Sequence, residues 1–193
     1  LEIDWQILID NEQDETLKIQ NMSINYEVTD VKNSDTSNKK FKSDMTLPKV
    51  SIEGEELTEL NTSIDSNYNG LYNKFKEQMA TADSNYTYIV SYNKYENMVG
   101  SKKILSLTIY LRIRDDDTKE NTVEQITTYN IDLATKETLS EFDIAKELLG
   151  KDYKTIIKSK VQDYVVDKGM MKDSEFTYAI TGFESFYIKD GVF

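Results

Sequence analysis

The chain has 193 residues, one proline, seven glycines, no cysteine, no histidine and a formal charge of −12, with a pI near 4.5. That composition removes thiol nucleophiles, disulfides, thiolate or imidazole zinc sites and every Ser-His-Asp arrangement. So acidic a surface also sets nucleic acid aside as a partner, and an enzyme built from these residues would rest on carboxylates, Lys, Tyr and Ser alone.

In chain order, "LEIDWQILI" places Leu1, Ile3, Trp5, Ile7 and Ile9 on one face of a strand. A polar turn leads to a second strand with Leu17, Ile19, Met22, Ile24, Tyr26 and Val28; its apolar parity changes near Asn21, the mark of a bulge. The two strands read as a hairpin. Residues 29–44 carry no apolar period and read as a mobile loop. "MTLPKVSIEG" is a short strand in which Pro48 argues for an edge position.

The clearest helix follows, with Leu57, Leu60, Ile64, Tyr68, Leu71, Phe75 and Met79 at helical spacing. Glu55, Glu56 and Glu59 fall in its first turns, where the macrodipole favours acids. Two strands come next, and in the second Leu105, Leu107, Ile109, Leu111 and Ile113 alternate strictly. "DDDTKEN" turns the chain into a strand ending at "YNIDL". The turn Thr135-Lys136-Glu137 reads as a joint that leads to a helix Glu141–Leu149, capped by Ser140 and ended by Gly150. A further helix carries Tyr153, Ile156, Ile157, Val161, Tyr164 and Val165 and stops at Gly169; "FTYAI" and "FESFYI" close the chain as strands. The order β-β-β-α-β-β-β-α-α-β-β, with short turns between strands, predicts an α+β fold: largely antiparallel sheet with helices packed on one face.

A chain of this length buries roughly 70% of its unfolded surface, enough for a real core, and forms one domain or two small ones. The pattern suggests an N-terminal hairpin and loop over residues 1–44 and an α+β region over 45–193, with a loose division into halves at about 45–114 and 115–193. No apolar run approaches the ~20 residues of a membrane span. The first residue, Leu1, already lies inside a strand pattern, so the chain reads as a fragment or a processed product that leaves room for a signal peptide or anchor upstream. Lack of cysteine suits an exported protein of an organism sparing with disulfides as well as a cytosolic one.

"YNIDLATKETLSEFDIAKELLG", a long helix, and "FESFYIKDGVF" are similar to a family pattern: a strand "YN-x-DL-x-TGK-x-L-x-L-x-D-L", a helix, then "F-x-L-x-x-DG-L". Upstream, "TLPKVSIEGEELTELNTSIDSNYNGLYNKFK" and "KILSLTIYL" look like its companion region, a proline-containing strand and a helix with an N-x-x-I repeat. Over roughly residues 45 to 193 the chain thus resembles the extracellular part of RsiV-type anti-sigma factors of Gram-positive bacteria, a region pair that also precedes the catalytic domain of PdaC-like peptidoglycan deacetylases. It departs from the pattern in three places. "DDDTKENTVEQ" stands where the family has a Gly-Gly-Ala-His-Gly-like turn, the TGK turn lacks its glycine, and nothing after Phe193 supplies a "PYEIAPYA" strand.

The resemblance implies binding and no catalysis: an extracytoplasmic sensor domain, on the outer side of the cytoplasmic membrane or secreted, that docks lysozyme or a similar basic protein and so triggers regulated proteolysis. It implies no cofactor and no metal. A charge of −12 suits a basic partner, although acidity alone is explained by solubility. The alternative is a cell-wall accessory module that binds glycan or wall polymer.

The residues offer two sets of candidate contacts. Asp115, Asp116 and Asp117 end the most regular strand. Read as a calcium loop from Asp115, the sixth residue is Glu120 and the twelfth Ile126, so the EF-hand pattern fails. A solvated hairpin turn is the favoured reading over a contact for a basic partner. Tyr92 and Tyr95, in "YTYIVSYNKY", could line an aromatic binding surface. Tyr86, Tyr88 and Tyr92 share parity, so half-buried strand tyrosines explain three of the four.

Overall fold

The computed structural model describes residues 23–170 and 172. The expected strands at the N-terminus up to residue 22, their bulge near Asn21, and "FTYAI" and "FESFYI" lie outside the described residues. The elements are β1 (Tyr26–Asp35), β2 (Phe41–Ile52), β3 (Glu55–Glu56), α1 (Thr58–Met79), β4 (Tyr86–Val99), β5 (Lys102–Asp115), β6 (Asn121–Asp132), β7 (Thr138–Leu139), α2 (Glu141–Leu149), a single 3₁₀ turn and α3 (Tyr153–Asp167). The fold is α+β: a curled seven-stranded sheet ordered β1-β2-β4-β5-β6-β7, with β3 added to β2 and helices packed on the sheet. All pairs are antiparallel except β2 with β4.

The alternation in β5 builds the middle of the sheet. Leu105, Leu107, Ile109 and Leu111 are buried on one face. Ile109 and Leu111 meet Met45, Leu47, Tyr88 and Val90 under the α1 side chains Ile64, Tyr68, Tyr72 and Phe75. Leu105 and Leu107 meet Val50, Ile52, Ile131 and Leu133 instead. The sheet therefore curls: β2 starts beside β4 and ends over β5 and β6. The opposite face of β5 is also covered. Ile104 packs with Val99 and Ile144 of α2, and the fully buried Ser106 donates to Asn130 at 2.6 Å.

Four local expectations change. Residues 29–44, read as a loop, lie mostly in β1 and β2. Most of β1 is exposed on both faces, so its side chains carry no period for a sequence reading to detect. Glu55 and Glu56 are not in the helix. A turn through Glu53 (φ 53°) and Gly54 (φ 78°) returns them antiparallel onto β2, where Glu56 pairs with Lys49 at 2.9 Å and Glu55 with Lys136. On α1, Tyr72 rather than Leu71 is buried, following Tyr68 by four residues. Strand β2 lies inside the sheet, not at its edge, yet Pro48 falls in the half that β4 no longer flanks.

The second half of the chain follows its local signals. Ser140 accepts the Asp143 N–H at 3.2 Å, and Gly150 (φ 73°) ends α2. The turn before β7 is a joint. Asp132 accepts the N–H groups of Ala134 (2.9 Å) and Thr135 (3.3 Å), and Lys136 holds φ 65°, a conformation that glycine adopts without cost. None of the described helices is long and apolar enough to cross a membrane.

Candidate functional site

Strand β4 carries both sets of candidate residues, one at each end. Which of its main-chain groups face which neighbour follows from two bonds. The Tyr86 N–H donates to Lys40 O, toward β2, and Asn85 O accepts the Asp116 N–H, toward β5, each at 2.8 Å. Main-chain groups alternate sides along a strand, and the β4–β5 register is unbroken to Val99. Tyr86, Tyr88, Val90, Tyr92 and Lys94 thus turn their N–H and C=O away from β5.

Over residues 86–90 those groups meet β2, from the pair Phe41↔Tyr86 to Met45↔Val90. Beyond Val90 the two strands part, and β5 is the one described strand beside β4 from there to Val99. The β2 side of the resulting notch is poor in hydrogen-bond donors. Pro48 has no N–H. Two residues on, the Asn61 amide of α1 accepts the Val50 N–H at 2.9 Å and donates to Val50 O at 3.0 Å. Asn61 stands where a neighbouring strand would be. No such group faces Tyr92 and Lys94 on the β4 side among the described residues.

A shallow groove of about 570 Å³ fills the notch, lined by Asp30, Thr46, Tyr92, Asn93, Lys94 and Tyr95. The Tyr92 hydroxyl donates to Asp30 Oδ1 at 2.7 Å and ties β4 to β1 across it. Burial, then the Asp30 hydrogen bond and charge, push the Tyr92 phenol up to about 12. Further along, burial and then the Glu96 charge raise Tyr26. Tyr86, Tyr88 and Tyr92 do share the face that packs toward α1, with Tyr88 fully buried.

The other end of β4 meets the β5–β6 turn. Asp115 is buried, and its Oδ1 accepts the N–H groups of Asp117 (2.8 Å) and Thr118 (3.1 Å), which shapes the turn. Asp116 is held by Lys42 Nζ at 2.9 Å, Thr87 Oγ1 at 2.9 Å and Arg114 at 3.2 Å. Burial raises its carboxyl, but the bonds from Lys42, Thr87 and Arg114 outweigh that and hold it below the usual carboxylate range. A carboxylate kept ionised in this way serves as an anchor and not as a general acid. A polar groove of about 450 Å³ opens beside it, lined by Lys42, Asp44, Arg114 and Lys119 among others. Asp117 is exposed, so the solvated-turn reading describes that residue and not its two neighbours.

Tyr92 and Tyr95 therefore share one groove, and the three aspartates belong to the opposite end of the strand. No group of three or more acidic residues arranged to hold a metal occurs among the described residues. Asp30 and Thr46 escaped the sequence reading: Asp30 lies in the stretch taken for a loop, and Thr46 becomes part of the groove only once β2 leaves β4. The signal at hand was Pro48, which already marked a place where β2 lacks a neighbour.

No protein-family model matches the chain, and no curated protein matches it. Among solved structures it is similar to a DUF3298 family protein from Pseudomonas aeruginosa PAO1, with TM-score 0.41 and 10% identity over 79% of this chain and 71% of that one. It is also similar to a DUF3298 family member from Bacteroides fragilis NCTC 9343, with TM-score 0.40 and 13% identity over 86% of this chain and 80% of that one.

Proposed function

We propose that this chain is a non-enzymatic docking domain on the outer side of the cytoplasmic membrane. It takes lysozyme or a similarly basic protein and, as the RsiV-type resemblance implies, passes binding on as a trigger for proteolysis. The observation that supports the reading is the shallow groove at the far end of β4, lined by Asp30, Tyr92 and Tyr95 among others. Tyrosine is enriched at protein interfaces, and a formal charge of −12 speeds encounter with a cationic partner.

The test is a titration of the purified domain with hen lysozyme at low and at moderate salt, with lysozyme activity as the second readout. Micromolar or tighter binding, weakened by salt and accompanied by inhibition, supports the proposal. Failure to bind at low salt, where charge attraction is strongest, removes lysozyme as the partner. The paired tyrosines with Asn93 also suit a sugar ring. Peptidoglycan fragments are therefore titrated in parallel, and saturable binding of these alone favours the wall-polymer module.

A further inference from the structure

We draw no further inference here: the strongest candidate, the polar groove beside Asp116 lined by Lys42, Arg114 and Lys119, carries nothing because Lys42 and Arg114 are already committed to Asp116 and nothing in the structure selects what would occupy it.

Discussion

Over residues 86–90, β4 has β2 on one side and β5 on the other; over residues 91–99, β5 is its one neighbouring strand among the described residues. Both ends bring tyrosines toward the α1 face, and both carry a carboxylate near their tip. At the first end Tyr88 is fully buried, its hydroxyl donates to Tyr68 O at 3.1 Å, and Asp116 is tied by Lys42, Thr87 and Arg114. At the second end Tyr92 is half-buried and its partner Asp30 is exposed. The difference shows how one strand divides its labour. At the first end a closed set of hydrogen bonds and charges holds the fold together; at the second the tyrosines line a shallow groove.

The sharpest break of that comparison is Tyr88→Ala, which empties a site between the rings of Tyr72 and Phe75 at 5.4 and 5.6 Å. It is expected to destabilise by about 3–5 kcal/mol, read by urea denaturation. Next comes Asn61→Ala, which strips the buried Val50 N–H of its partner while Val50 O keeps the Leu57 N–H at 3.0 Å, and costs about 1–2 kcal/mol. It should also raise hydrogen exchange at Val50 ahead of the rest of β2.

Asp116→Asn should cost about 1 kcal/mol, since Lys42 and Arg114 still reach water. Its pH dependence has a definite sign. The folded carboxyl titrates below its unfolded value, so the stabilisation is complete above the ordinary carboxylate pKa and disappears as pH falls through the lowered folded one. The gap between parent and variant in denaturation midpoint should therefore be widest at neutral pH and close in acid. The smallest effect is Tyr92→Phe, which removes only the exposed bond to Asp30 and should change stability by less than about 0.5 kcal/mol. A loss at Tyr92 as large as at Tyr88 would erase the distinction between the two ends.

Much of this architecture is legible in the residues. The strict alternation of β5, the stripe of α1, and the Ser140 and Gly150 stops of α2 are local signals, and each meets its expected element. The unread parts depend on neighbours far along the chain. Most of β1 is wet on both faces, so hydropathy cannot distinguish it from a loop. Glu55 and Glu56 look like helix-start acids, and only the strained turn at Glu53 and Gly54 diverts them onto β2. Two of the groove's residues, Tyr92 and Tyr95, could be named from aromatic density, but Asp30 and Thr46 join them only through the parting of β2 and β4.

The one parallel pairing has a bearing on how the chain assembles. Strands β4, β5 and β6 form a meander whose neighbours are joined by tight turns. The Phe41↔Tyr86 contact instead spans all of α1, so its loop-closure entropy must be met before any contact rewards it. We expect the meander to zip first and the β1–β2 ribbon to dock late, seen as φ-values near zero in β2 and higher in β5. The seam where β2 leaves β4 would then be the last stitch made and the first to open.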